Sequence, residues 1–210
     1  MNKKKATAIL EQLSAYYGDV LPGLNFKNIY ELTISVVLSA QTTDRQVNAV
    51  TPQLFKRYKN FKELGQANIN DVEQIIKSTG FYHTKAKNII ALSAAITERF
   101  VGSAPKTREE LMTLPGVGRK SANVILSIGY DIPALAVDTH VTRLANRLGF
   151  IVSDDPDKVE LAITSFIPPE DWKRAHVVLI NHGRKICMAR NPACGICPVV
   201  KYCVYEKRMM

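Results

Sequence analysis

Apolar residues recur at helical spacing along most of this 210-residue chain. Ile9 and Leu13 near the start, and Ile89, Leu92 and Ile96 further on, fall three or four positions apart, so each set lies on one face of a helix. The chain contains no alternation of strand and helix patterns and no clear tandem repeat. The pattern therefore predicts an all-α fold.

One segment, residues 28–40, is so apolar that periodicity alone does not distinguish a buried helix from a buried strand. Its β-branched residues favour a strand, whereas its length favours a helix, and we predict a helix. Polar residues mark where later helices begin. Thr43 or Asp44 is placed to cap the next helix, and Thr107 with Glu110 resembles a capping box.

The composition limits the classes of partner and the cell compartment. A net charge of +9 and a pI near 9.4 favour a polyanion, such as nucleic acid or a membrane surface. No stretch approaches the ~18 consecutive apolar residues of a membrane span. The basic residues Lys3 to Lys5 are not followed by the apolar region of a signal peptide. We therefore expect a cytoplasmic protein with no membrane partner.

All four cysteines lie in the last 24 residues, at Cys187, Cys194, Cys197 and Cys203. A disulfide framework would spread its cysteines along the chain, so the clustering indicates a metal site. Four thiolates suit either tetrahedral zinc or a [4Fe–4S] cluster. A single C-x2-C pair with longer flanking gaps favours the cluster over zinc, which remains the alternative.

The cysteine-rich tail is also basic. Six lysines and arginines stand against one acid between residues 182 and 210, and they include Lys207 and Arg208 at the end. Arg190 lies inside the cysteine segment, so a loop fixed by metal would place this cation against a phosphate backbone. The alternative is an ordinary solvated basic terminus.

The stretch LPGVGRKSANVIL has two cations where a helix is expected to begin. Gly116 and Gly118 allow a turn with positive φ. The amides of Val117 and Gly118, together with the first N–H groups of the helix, would then form an anion site. Arg119 and Lys120 oppose the helix dipole, and a bound phosphate would offset that repulsion.

Lys120 also has the surroundings of an amine nucleophile, because a second cation and a helix N-terminus favour its neutral form. Such an amine attacks carbonyl-like carbons and forms Schiff bases. A helix of eleven residues after Lys120 rises ~16 Å, and residues 132–138 can return up to ~23 Å. The chain can therefore bring the carboxylate of Asp138 back beside the lysine, although Asp138 is also placed to cap a helix.

These motifs together resemble a known family. LPGVGRK resembles the helix-hairpin-helix of the base-excision-repair DNA glycosylases. Together with AVDTH and the C-x6-C-x2-C-x5-C tail, it makes the chain closely similar to the bacterial endonuclease III family. LSAQTTD and GFYHTKAKNI also match that family, and the likeness extends through nearly the whole chain.

The resemblance implies two helical domains with the active-site cleft between them. One is a six-helix domain of residues 22–132, with the helix-hairpin-helix at about 107–130. The other joins 1–21 to 133–210 and holds one [4Fe–4S] cluster on its cysteines. The implied protein is a monomeric DNA glycosylase and abasic-site (AP) lyase that removes oxidised pyrimidines from duplex DNA. By the same resemblance, Lys120 is the nucleophile and Asp138 is its acidic partner.

The resemblance also assigns residues that contact DNA or line a pocket. Gln41 matches the polar residue that fills the gap left by a flipped nucleotide, and Phe81 occupies the place of a leucine wedge. Ser39, Asp44 and His140 resemble pocket-lining residues. Taken without the resemblance, His140 is an ordinary residue in the first turn of a helix, and Asp44 is a cap.

Two other functions remain open. A monofunctional glycosylase of the same superfamily, such as the adenine-removing type, lacks the lysine nucleophile and carries a glutamate where this chain has Val36 and Val37. A non-catalytic DNA-binding protein would use the hairpin for phosphate alone and would have no need of Asp138. The presence of Lys120 favours the glycosylase and lyase over both.

Overall fold

The computed structural model describes residues 1–20 and 22–205. Within these residues eleven α-helices and short 3-10 segments occur, with no β-strand, which confirms the all-α prediction. No helix in the described ranges is both long and apolar enough to cross a membrane. The helices are α1 (Lys3–Tyr17), α2 (Ile29–Leu38), α3 (Asp44–Arg57), α4 (Phe61–Gly65), α5 (Ile69–Ile76), α6 (Tyr82–Arg99), α7 (Arg108–Met112), α8 (Arg119–Val124), α9 (Thr139–Leu148), α10 (Pro156–Phe166) and α11 (Trp172–Lys185).

By its contacts the chain divides into two compact units: residues 22–132, and the described part of 1–21 with 133–210. In the first, α2 is the central helix, and every residue from Leu32 to Leu38 is buried. It packs against α3, α6 and α8. A helix that is apolar on all sides is stable where neighbours cover all sides. This burial outweighs the small helix penalty of its β-branched residues.

The second unit is built from α1, α9, α10 and α11. Both α1 and α9 pack against α10 and α11. Its buried core includes Ile9, Leu10, Leu13, Val141, Leu144, Leu148, Ile163, Val178 and Leu179. The partly buried side chains of Cys187 and Cys197 pack against this core, which therefore supports the cysteine-rich loop directly.

The predicted caps are mostly confirmed. Thr107 is the N-cap of α7: its Oγ1 accepts from the N–H of Glu110 at 3.3 Å and donates to the Glu110 carboxylate at 2.6 Å. Of the two alternatives for α3, Thr43 is the N-cap and accepts from the N–H of Gln46 at 3.3 Å. Asp44 as a cap is therefore wrong, because it is the first helical residue and lies past the capping position.

The helix after the glycine pair differs from the prediction in two ways. It begins at Arg119, but it widens into a π-helix over Ile125–Gly129. Helical spacing places Lys120, Asn123 and Ser127 on one face, which their polar side chains predict to be solvent-facing; that prediction is wrong beyond Lys120, because Asn123 and Ser127 are buried. Both α2 and α7 pack against α8 and leave little of it in solvent. Ser127 keeps its hydroxyl satisfied by donating to the backbone carbonyl of Asn123 at 2.8 Å.

Candidate active site

The turn between α7 and α8 holds one of its two glycines in the left-handed region. Gly116 has φ of 77°, as predicted, whereas Gly118 has φ of −93° and is extended, so the prediction is wrong for Gly118. A Cβ on Gly116 would lie 3.0 Å from the Asn88 amide nitrogen and 3.1 Å from Val37. A Cβ on Gly118 would meet nothing within 4 Å. Glycine is therefore required only at position 116. A side chain there would have an unfavourable φ and would crowd its neighbours.

One backbone amide of this turn donates within the turn itself, and the next ones begin α8. The N–H of Val117 donates to the carbonyl of Leu114 at 3.1 Å, and its side chain is buried. The expectation that this amide points outward is therefore wrong, because the tight turn closes on it. Gly118 is the N-cap of α8, and no side chain caps the helix. The exposed Lys120 thus follows a helix N-terminus that no side chain caps, which is a favourable place for an anion.

Asp138 caps α9, as the sequence predicted. Its Oδ1 accepts from the N–H of Val141 at 2.9 Å, and the side chain is half-buried. The nearby Arg143 is itself partly buried, and this burial lowers the pKa of its guanidinium, while the charges of Cys187 and Asp138 act in the opposite direction. The carboxylate is therefore fixed in orientation by the cap and attracted by the charge of Arg143.

His140 lies in a network that the sequence did not reveal. Arg143 Nη2 is 3.1 Å from His140 Nδ1 and donates to the carbonyl of Gly183 at 2.8 Å. Arg143 Nε donates to the carbonyl of Cys187 at 3.1 Å. The arginine thus joins the helix of Asp138 to the cysteine-rich loop. Its spacing of three residues from His140 on α9 is the only sequence signal of that role.

Gln41 and Phe81 are exposed and adopt positive φ values of 52° and 49°. Together with Gly116, Lys85 and Asn88, they line one cavity of about 210 Å³ in the 22–132 unit. The structure thus brings both candidate gap-filling residues to the helix-hairpin-helix turn.

The candidate pocket residues of the same unit lie on α2 and α3. Ser39 ends α2 and donates from its hydroxyl to the carbonyl of Val36 at 2.8 Å. Asp44 lies in the first turn of α3. Neither residue is among those that line the 210 Å³ cavity.

All four cysteines line a single cavity at the ends of α9 and α11. Burial raises the pKa of the Cys197 thiol to about 11, and the other three cysteines add to that rise. A bare thiolate is unfavourable there, so holding Cys197 as a thiolate ligand would require the positive charge of a bound metal. Among residues 1–20 and 22–205, no three Cys, His, Asp or Glu side chains converge on one point as a single ion would require. Four thiolates around a cavity fit a cluster in which each iron takes one of them.

Arg147 organises the cysteine-rich loop. Its guanidinium donates to Cys187 Sγ at 3.3 Å and to the carbonyls of Met188 and Ala189 at 2.7 and 3.1 Å. Its own carbonyl lies 3.3 Å from Cys203 Sγ. No sequence signal identified this residue, because its position on α9 resembles that of any half-buried arginine. Arg190 is exposed in the same loop, whereas Lys207 and Arg208 lie outside the described residues.

A second contact to the cysteines runs through the buried His182. His182 Nε2 lies 3.4 Å from Cys197 Sγ, and Nδ1 lies 3.0 Å from the Tyr17 hydroxyl. Burial lowers the pKa of His182 to about 4 and is the main reason that the pKa of Tyr17 rises to about 12. The imidazole is therefore neutral at physiological pH and carries one N–H, and the phenol keeps its proton.

Comparison with known proteins places these features in a family. Residues 34–169 match the HhH-GPD superfamily of base excision DNA repair proteins, and residues 187–203 match the iron–sulfur binding domain of endonuclease III. Endonuclease III of a Synechocystis strain is 43% identical over 202 residues, covering 96% of this chain and 92% of the relative. The Escherichia coli K12 enzyme is 38% identical, covering 100% and 99%.

The chain belongs to the endonuclease III family. A solved structure of a trapped endonuclease III–DNA covalent intermediate has a TM-score of 0.94 and 41% identity, and each chain is covered completely. A non-covalent endonuclease III–DNA complex gives a TM-score of 0.93. A thermostable thymine-DNA glycosylase, 22% identical with a TM-score of 0.87, shares the fold.

Membership of this family resolves two of the alternatives. The chain is a base-excision DNA repair enzyme of the glycosylase and lyase class, so the non-catalytic DNA-binding protein is set aside. It carries a [4Fe–4S] cluster, as the cysteine spacing favoured, and zinc is set aside.

Proposed function

We propose that this enzyme removes oxidised pyrimidines from duplex DNA and then cleaves the strand at the abasic site, with Lys120 as its nucleophile. The observation that carries the assignment is the position of Lys120, exposed at the start of a helix whose N-cap, Gly118, supplies no capping side chain. The helix N-terminus without a capping side chain, together with the charge of Arg119, favours a phosphate beside the amine. The lysine can therefore act on the sugar next to a bound phosphate.

The chemistry requires a flipped nucleotide, because C1′ is inaccessible to the Lys120 amine inside the base stack. Lys120 Nζ bonds to C1′, and the bond from C1′ to the base breaks as the base leaves with the electron pair and takes up a proton. Loss of the amine protons and opening of the sugar ring give a Schiff base. Removal of a C2′ proton then expels the 3′ phosphate, so the strand is nicked 3′ to the lesion. Water finally hydrolyses the Schiff base and frees the lysine.

Asp138 is the proposed acidic partner in this sequence. Its Oδ1 is held by the N–H of Val141, so Oδ2 is the oxygen assigned to the reaction. That oxygen stabilises positive charge developing on the sugar or receives the protons of the amine. Because a backbone N–H holds one carboxylate oxygen, the position of the other oxygen is fixed without a contact from another side chain.

The remaining site residues contact DNA in this proposal. The backbone at Gly116 and Gly118, with Arg119 and, in the other compact unit, Arg190, binds phosphates. Val117 supports the turn from inside. The residues that fill the gap are Gln41 and Phe81, and those that line the nucleotide pocket are Ser39, Asp44 and His140.

The four cysteines are the proposed ligands of the cluster, which, when bound, crosslinks the loop through four iron–thiolate bonds. A ligated thiolate accepts hydrogen bonds but cannot donate, so His182 donates from Nε2 to Cys197, and Tyr17 donates to Nδ1. The loop that carries Arg190 is thereby held against the core of its unit.

The two compact units correspond, in this proposal, to the two domains expected from the resemblance, 22–132 and 1–21 with 133–210. The enzyme acts as a monomer on chromosomal DNA in the cytoplasm, at the nucleoid, without a membrane partner.

Borohydride trapping tests the function. The protein is incubated with abasic duplex DNA and reductant, which converts a Schiff base into a permanent covalent adduct. We expect an adduct with the wild-type chain and none with Lys120→Ala, while Lys62→Ala, on the short helix α4, traps normally. An undiminished adduct with Lys120→Ala would refute the assignment of the nucleophile. Release of the base from a duplex that contains an oxidised pyrimidine, without any adduct on either duplex, would instead indicate the monofunctional glycosylase.

A further inference from the structure

Lys85, on α6, is a buried cation with uncharged hydrogen-bond partners. Its residue is only 5% exposed. Its ammonium donates to Thr42 Oγ1 and, at 2.9 Å, to the carbonyl of Thr79. Burial lowers the pKa of this lysine. Lysine is rarely buried in this way, so the position calls for a reason beyond packing.

The two acceptors belong to different loops, and they also bond to each other. Thr42 Oγ1 donates to the carbonyl of Thr79 at 2.6 Å while it accepts from Lys85. A second contact nearby, from Gln46 Nε2 in the first turn of α3 to Ser78 Oγ at 2.6 Å, joins α3 to the segment before α6. The ammonium of Lys85 therefore holds together the loop after α2 and the loop before α6.

Each of these loops carries one candidate gap-filling residue in a strained conformation. Gln41 precedes Thr42 directly, and Phe81 follows Thr79 by two positions; both have positive φ. Residues other than glycine rarely adopt this conformation, and it persists where the surroundings impose it. Lys85 lines the cavity between the two side chains, so it both joins the loops and fixes the separation of their tips.

We propose that Lys85 is a positioning residue, which locks the loops of Gln41 and Phe81 together so that both side chains enter the duplex at the damaged nucleotide. The inference rests on the proposed function, because it requires those two residues to fill the gap left by flipping. Lys85 touches neither the sugar nor the base. Its contribution is to the preparation of the duplex, not to the Schiff-base chemistry.

This division of roles gives a specific expectation. Losing the ammonium frees the two loops from each other, and displacement of reacting or positioning groups by about 1 Å is enough to slow an enzyme up to about 100-fold. Base excision from duplex DNA should therefore slow. Cleavage of a single-stranded abasic site should not, because such a substrate has no partner strand and no gap to fill.

The experiment compares Lys85→Met, which keeps the aliphatic length and removes the donors, with Lys87→Met on the exposed side of α6. Three quantities are measured: single-turnover excision of an oxidised pyrimidine from duplex DNA, lyase cleavage of single-stranded abasic DNA, and fluorescence of 2-aminopurine placed opposite the lesion. We expect Lys85→Met to lose about tenfold or more on the duplex and to alter the fluorescence. Its single-strand cleavage, and all three measurements for Lys87→Met, should remain at wild-type values.

Equal loss on both substrates, or no loss on either, would overturn the proposal. Should Lys85→Met fail to fold, Thr42→Val decides: this variant removes the link between the loops and leaves the lysine in place. A loss confined to duplex DNA then supports the proposal, and unchanged excision refutes it. Failure of the proposed function would look different, because the wild-type chain itself would form no borohydride adduct with abasic duplex.

Discussion

At the scale of single residues, Asp138 has both a structural and a proposed chemical role. The prediction that it caps α9 is confirmed by the contact to the N–H of Val141. The sequence left the capping and catalytic roles open together, and the structure makes them compatible, because the cap uses only one carboxylate oxygen. Stability and activity should therefore respond differently to changes at this position.

Asp138→Asn and Asp138→Ala separate the two roles. Asparagine caps a helix about as well as aspartate, whereas alanine costs about 1 kcal/mol. We expect the Asn variant to keep the wild-type free energy of unfolding and to lose roughly 100- to 10,000-fold in excision rate. The Ala variant should lose both stability and excision rate. Chemical denaturation and single-turnover kinetics measure the two effects, and an active Asn variant would show that the negative charge is not needed.

At the scale of elements, the hairpin between α7 and α8 combines two glycines with different requirements. Gly116 has positive φ and close neighbours at Asn88 and Val37. Gly118 is extended and has open space, so its value lies in the bare N-terminus that it leaves on α8. The sequence treated the pair as equivalent, because glycine's tolerance of positive φ does not reveal which position uses it.

Substitution of each glycine by alanine tests this difference. Gly116→Ala should destabilise the protein by at least about 1 kcal/mol, because a Cβ there is strained by the backbone and crowded by its neighbours. Gly118→Ala should change the free energy of unfolding by less than about 0.5 kcal/mol. Denaturant titration of both variants compares them directly. Equal destabilisation would contradict the assignment of positive φ to Gly116 alone.

At the scale of the whole molecule, the net charge of +9 bears on DNA binding more than on the fold. Phosphate contacts are distributed in our proposal over both compact units, from the hairpin in one to Arg190 in the other. Each contact that displaces a counterion adds to the salt dependence of the dissociation constant. The number of such contacts can be obtained from dissociation constants measured at several salt concentrations.

Arg190→Ala should therefore weaken binding to duplex DNA of any sequence and reduce the slope of log Kd against log salt by about one. Lys158→Ala removes the same charge from α10, where Lys158 lies 4.0 Å from Asp155, and should leave the slope unchanged. Fluorescence anisotropy over a salt series measures both. Identical slopes for the two variants would mean that overall charge acts, with no specific contact at Arg190.

The sequence determined the features that depend on local pattern. Helical periodicity gave the all-α class, side-chain spacing gave the caps at Thr107 and Asp138, and the cysteine spacing favoured a cluster over zinc. Only the tertiary structure decided which polar residues are buried, since Asn123 and Ser127 look solvent-facing until neighbouring helices cover them. It also supplied the contacts of Arg147, His182 and Lys85 to loops distant in sequence. Those contacts depend on how separate elements pack. The periodicity of one segment does not indicate which other segments pack against it.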